Sequence, residues 1–152
     1  MKEIHDDRLK MSIDTLNLGT APCLTVNQSM KAIDVFKIMD AKGLSGIALV
    51  DDHGKLTGNL SSRDLKAFIK FIDFNQLVAS VGDFIKFIRQ TAQTDTDNPT
   101  ITCFPHDTFE HIIGKLSATR VHRLFVVASE EFFSPVRVVS LLDTLAKLHE
   151  HK

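Results

Sequence analysis

With two cysteines, no apolar run of 18 residues and no block of basic charge, this 152-residue chain excludes several chemistries before any motif is found. Cys23 and Cys103 have no Cys-x-x-Cys context, which leaves two reduced, structural thiols of an intracellular protein. No stretch is apolar enough to span a bilayer, and the opening MKEIHDDRLK lacks the apolar core of a signal peptide. The expectation is a cytoplasmic chain that meets no membrane. The formal net charge of −1, without a basic cluster, gives nucleic acid or an anionic surface no electrostatic hold. Seven histidines lie scattered, with no His-Glu-x-x-His and no His/Cys pair at zinc spacing, so no metal site is expected. Gly-x-Ser-x-Gly, the phosphate-binding Gly-Lys loop and Gly-x-Gly-x-x-Gly are all missing. Composition alone leaves open a hydrolase assembled in space from Ser61, Asp64 and His122, but nothing marks a serine on a strained elbow. No catalytic residue is assigned, and the chain is not expected to be an enzyme.

What is present is a duplication. The stretch KGLSGIALVDDHGKLTGNLSSRD, Lys42 to Asp64, returns in weaker form from Thr119 to Asp143. Each copy runs from a buried apolar strand through a turn into a second strand that closes on Ser-x-x-Asp. An offset of 79 carries Ser61 and Asp64 onto Ser140 and Asp143, whereas an offset of 77 carries Met39 onto Leu116 and Val50 onto Val127. The two extra residues fall in the turn, where a length change is easily absorbed.

Taken in order, the chain predicts two strand-helix-strand-strand-helix (βαββα) units, an α/β chain of the α+β kind. A polar N-terminal segment occupies 1–14, a first unit 15–75, a connecting helix and linker 76–98, and a second unit 99–149. Ala32, Val35, Phe36 and Met39 form one helical stripe after a cap at Ser29, and the helix stops at Gly43. Phe109, Ile112, Ile113 and Leu116 repeat that stripe after a capping box of Asp107 and Glu110. Asp52 to Lys55 makes a hairpin turn with Gly54 at positive φ. A second helix, capped by Ser61 or Ser62, carries Leu65, Phe68, Ile69 and Ile72. Its counterpart carries Leu141, Leu142, Leu145 and Leu148, and the tail HEHK is expected to fray. Phe84, Ile85 and Ile88 lie on the connecting helix, and 91–98 is a polar linker. Phe132 and Phe133, in the turn 129–135, are read as folding back onto their own unit, with an exposed contact patch as the alternative.

The chemistry on offer is binding. Ser-x-x-Asp at a strand-to-helix junction brings together a hydroxyl, a carboxylate and helix-end amides, suited to a ribose and a phosphate. A plain N-cap is the commoner explanation of one such pair, and its recurrence at the same place in both units favours binding. Arg120, His122 and Arg123 precede the apolar strand of the second unit, and guanidinium groups suit phosphate. The first unit has Gly43-Leu44-Ser45-Gly46 in that place, so the two sites are chemically unequal.

These pieces resemble a pair of CBS domains. With Leu18-Gly19-Thr20 ahead of the first unit, Val121-His122-Arg123-Leu124 is most similar to the gamma subunits of AMP-activated and Snf1-type protein kinases, over roughly residues 15 to 148. The resemblance implies two sheets about a pseudo-twofold axis with two clefts, each lined by both repeats. It assigns Ser61 and Asp64 with His122 and Arg123 to one cleft. The other takes Thr20, the loop with Ser45 and Gly46, Ser140 and Asp143. The implied ligand is an adenine nucleotide, AMP, ADP or ATP, sensed by a regulatory module with no other cofactor. The alternative is an interaction or dimerisation module that has lost its ligand. Arg137 departs from the family's glycine, and two repeats stand where the gamma subunits have four. A homodimer forming a four-repeat disc through leftover apolar helix faces is therefore implied, with a protein kinase or another regulated protein as partner.

Overall fold

Two glycines do what the sequence asked of them. Gly43 (φ 64°) ends the first helix in the left-handed conformation, and Gly54 (φ 78°) turns the first hairpin. The structure, a computed structural model, describes residues 6–70, 73–91 and 99–150. The first repeat comprises β1 (Thr25–Asn27), α1 (Ala32–Lys42), β2 (Gly46–Val50), β3 (Leu56–Ser61) and α2 (Ser62–Ile69). After α3 (Phe74–Val78) and α4 (Val81–Thr91) come β4 (Thr102–Cys103), α5 (Phe109–Thr119), β5 (Arg123–Val127), β6 (Pro135–Ser140) and α6 (Leu141–His149). A 3-10 turn, Asp7–Lys10, precedes them. The sheets are ordered β1-β2-β3 and β4-β5-β6, each with a parallel pair followed by an antiparallel one. Both carry a register shift at the equivalent point, Leu49/Val50 and Val126/Val127. The βαββα expectation and its duplication are therefore met in topology as well as in spacing.

The compact units are not consecutive stretches of chain. One runs from Leu24 to Thr100; the other joins everything up to Cys23 with everything from Ile101 onward. In the discontinuous unit Thr20 bridges Val138 through two backbone hydrogen bonds of 2.9 and 3.0 Å, and Cys23 N donates to Val136 O. These contacts cover the outer edge of β6, which would otherwise offer unpaired backbone to another strand. In the continuous unit Asn59 Nδ2, on β3, donates to Thr100 Oγ1 at 2.7 Å.

The duplication reaches further than the sequence showed. Val81 N donates to Met30 O and Gly82 N to Gln28 O; Ile13 N donates to Asp107 O and Asp14 N to Pro105 O. Ala32 N meets Ala79 O as Phe109 N meets Met11 O, and the bridge Lys31–Ser80 matches Ser12–Thr108. Ser80 Oγ accepts from Asp83 N, and Ser12 Oγ from Thr15 N. Residues 11–16 and 79–84 are thus equivalent docking segments at an offset of 68. They part afterwards: α4 continues to Thr91, whereas the earlier copy stops after one turn at Asn17 (φ 51°) and Gly19 (φ 84°).

Each unit has its own core. Val35, Met39, Ile47, Leu49, Leu60, Phe68, Phe84 and Ile88 belong to the first, where the rings of Phe36 and Phe68 have centroids 5.5 and 5.3 Å from that of Phe84. Ile13, Leu18, Cys103, Ile112, Leu116, Leu124, Val126 and Val139 fill the second. Burying a side chain of this size contributes about 1.5–3 kcal/mol, so Ile13 and Leu18 bind their segment firmly to the repeat behind it.

Several expectations are corrected. The N-cap of α1 is Lys31, without a side-chain bond; Ser29 instead donates to Asn27 Oδ1 in the preceding turn. Thr108 caps α5 by accepting from His111 N, while Asp107 accepts from Phe104 N within the loop and Glu110 pairs with Lys10. The helix α3, absent from the sequence reading, carries exposed Phe74 and Val78. Phe132 is exposed, presented by a turn in which its N–H donates to Ser129 Oγ, while Phe133 is half-buried. The apolar stripe of α2 faces outward at Leu65 and Ile69, and that of α6 at Leu141, Leu142 and Leu145. Ile72, residues 92–98 of the linker and the last two residues of HEHK lie outside the described residues.

Candidate functional site

Gly19 explains how the segment Leu18-Gly19-Thr20 reaches its place. A Cβ on Gly19 would stand 2.3 Å from Val138 O and 2.9 Å from Val139 Cγ2, so only glycine lets the chain lie against β6. That approach sets exposed Thr20 beside Val138, two residues before Ser140. Ser140 is the N-cap of α6: its Oγ accepts from Asp143 N at 3.0 Å, and its N–H donates to Asp143 Oδ2 at 2.8 Å. Both residues remain half-buried.

Directly across the sheet from Ser140 stands Arg123, and Leu141 N donates to His122 O at 2.8 Å. Opposite residues of an antiparallel pair share a face, so the guanidinium stem and the Ser140 hydroxyl leave the sheet on the same side. One unit therefore gathers Thr20, His122, Arg123, Ser140 and Asp143 around the start of α6. Hydroxyls and a carboxylate suit a ribose; arginine and histidine beside a helix N-terminus suit phosphate.

The first repeat builds the same frame with different chemistry. Gly46 stands across from Ser61, and Ser62 N donates to Ser45 O at 3.0 Å. Ser61 and Asp64 also form a capping box, Ser61 N donating to Asp64 Oδ2 at 2.9 Å. Here the pair is enclosed, with Ser61 4% and Asp64 1% exposed. The capping function of Ser-x-x-Asp is thus present in both repeats, and the more open pair is the one whose unit also supplies Arg123.

Sequence reasoning missed the part played by Arg137. Its Nη1 lies 3.1 Å from both Asn17 Oδ1 and Leu18 O, tying β6 to the turn that delivers Thr20. Arg120 takes the left-handed conformation (φ 58°) at the end of α5, as Gly43 does at the end of α1. Burial pushes the Cys23 thiol up to about 11 and the Cys103 thiol up to about 12, which disfavours the thiolate at both. Among the described residues no group of three or more His, Cys, Asp or Glu side chains is arranged to hold a metal ion. No described helix is long and apolar enough to cross a membrane.

Two repeats of one strand-helix-strand-strand-helix unit, each closing on a capped Ser-x-x-Asp, define the class of fold. The family model for the CBS domain matches residues 17–70 and 95–150, and the chain belongs to that family. It is 29% identical over 126 residues to a protein named sds23 from Aspergillus niger, covering 81% of this chain and 25% of that one. It is 30% identical over 124 residues to the 5'-AMP-activated protein kinase subunit gamma of Kluyveromyces lactis, covering 81% of this chain and 36% of that subunit. The chain thus spans about a quarter to a third of the length of these relatives. Among solved structures, CBSX2 in complex with AMP has the same fold, with a TM-score of 0.66 at 20% identity, covering 93% of this chain and 99% of that one.

Proposed function

We propose that this CBS pair is a non-catalytic, cytoplasmic regulatory module that binds an adenine nucleotide, AMP, ADP or ATP, at the start of α6. One observation carries the reading: Gly19 holds Thr20 on the edge of β6, in the unit where Ser140, Asp143 and Arg123 already converge. Thr20 and Asp143 meet the ribose, and Arg123 with His122 meets the phosphates. Asp64, sealed in its own capping box, contributes to the frame of the first repeat. The AMP complex of a protein with this fold and the kinase-subunit relative support the same ligand class and a protein kinase as regulated partner. Binding energy that differs between two conformations would then be the signal passed on.

The test is the melting temperature with and without millimolar AMP, ADP and ATP. A nucleotide at 100 times its dissociation constant stabilises by about 2.7 kcal/mol. Asp143→Asn keeps an oxygen for the Ser140 N–H but removes the charge, so it retains the basal melting temperature and loses the shift. No shift with any of the three overturns the proposal.

A second reading, an interaction module, rests on the outward apolar face of α6, where Leu142 is 75% and Leu145 53% exposed. A second copy of the chain is the occupant we propose for this face and the matching face of α2, giving a four-repeat homodimer. Sedimentation of the parent and of Leu142→Glu decides it: a dimer converted to monomer supports it, and a monomeric parent sinks it.

A further inference from the structure

Gly58 stands in the middle of β3, opposite Leu49, where a glycine weakens a strand by about 0.5–1 kcal/mol relative to alanine. The register shift beside it does not demand a glycine, because Arg137 stands beside the same shift in β6. Gly58 is not among the residues with positive φ, and a Cβ there would meet nothing closer than Leu49 Cδ1 at 3.9 Å. The equivalent position in β6 is Arg137, opposite Val126. Arg137 crosses to Asn17 and Leu18, which follow the first docking segment as Ile85 and Lys86 on α4 follow the second. The space one repeat fills with its own side chain is left open in the other. It forms a groove of about 360 Å³ floored by Leu49, Gly58 and Ile85 and walled by Asp83, Lys86 and Arg89.

We propose that this groove is a second ligand site, taking a small molecule with a flat apolar body and one anionic group, a carboxylate or a phosphate. Its size falls in the range of small-molecule pockets, and its mixed lining suits a ligand with one apolar and one charged end. The apolar body lies where the Arg137 stem lies in the other repeat. The anionic group meets Lys86 and Arg89, which share one face of α4 a turn apart. Backbone amides at the start of α4 do not supply the charge. Val81 N, Gly82 N and Asp83 N are bonded to Met30 O, Gln28 O and Ser80 Oγ. Asp83, one turn before Lys86, orients the ligand with its acidic end toward Arg89. The groove shares no lining residue with the nucleotide site proposed above.

The experiment is an amide-resolved NMR titration of the whole chain with phenyl phosphate, benzoate, inorganic phosphate and benzyl alcohol. Phenyl phosphate, benzoate or both produce saturable shifts at Gly58, Gly82 and Lys86, at least tenfold tighter than inorganic phosphate and benzyl alcohol. Gly58→Leu fills the floor, keeps the fold and abolishes the shifts. Should that variant fail to fold, Lys86→Glu, on an exposed helix face, removes them instead. Absent shifts, equal affinity for inorganic phosphate or for benzyl alcohol, or shifts that persist in the folded variant overturn the proposal. Asp143→Asn leaves these shifts in place, so this site and the nucleotide site fail separately.

Discussion

Gly19 and Val138 approach so closely that the hydrogen of a glycine is all the space between them admits: a Cβ would sit 2.3 Å from the Val138 carbonyl oxygen. Gly19→Ala must therefore move the backbone as well as adopt a left-handed φ. The combined cost is roughly 2–4 kcal/mol, read as a lowered denaturant midpoint. The nucleotide-dependent rise in melting temperature falls with it, because Thr20 leaves the edge of β6. A variant of unchanged stability would show that the segment can lift away freely.

Arg137→Ala removes two contacts that hold the Asn17–Leu18 turn. A charged donor to backbone and amide oxygen is worth about 1–3 kcal/mol, less where water reaches it. Amide exchange is the sharper readout: Thr20 N, bonded to Val138 O, exchanges faster in the variant while Leu124 and Val126 stay protected. Equal acceleration throughout would mean that the whole unit is destabilised rather than its strap.

Arg120 and Gly43 end equivalent helices with nearly the same left-handed backbone, φ 58° and 64°. Only the glycine does so without strain. Arg120→Gly is expected to stabilise by about 1 kcal/mol, which for a chain of this size raises the melting temperature by about 2–4 °C. Gly43→Ala moves it the other way by a similar amount.

Stability should fall on the alkaline side through Cys103. Burial, with Asp107 adding to it, raises its thiol from an ordinary 9.0 to about 12 in the folded chain. Between those values the unfolded chain loses the proton and the folded chain does not, so unfolding gains as pH rises through that window. Cys103→Ala lowers stability at neutral pH by leaving a cavity but flattens the decline between pH 9 and 11. An unchanged slope would remove the thiol from the account.

The repeat was legible because Met39/Leu116 and Val50/Val127 preserve the spacing of the core, which packing enforces. Helix caps were less legible. Lys31 and Thr108 begin the two helices where Ser29 and Asp107 had better side chains for the task, since bonds to residues 79 and 11 fix where each helix starts. The equivalence of residues 11–16 with 79–84 was hidden because the match is short and broken at Asp14/Gly82 and Thr15/Asp83; what the two segments share most fully is backbone geometry. At the candidate site, the capped Ser-x-x-Asp pairs were readable as local patterns. The enclosure of Asp64 and the reach of Arg137 depend on residues far away in sequence, and no local pattern encodes them.

The discontinuous unit imposes an order on synthesis. Leu24 to Thr100 has a core of its own and can close as soon as it clears the ribosome, whereas Ile13 and Leu18, made before it, find their neighbours only after Val139 has been made. For that interval both side chains lack the partners that bury them in the folded unit, so the last strand to be made is the one that fastens the segment made before the continuous unit.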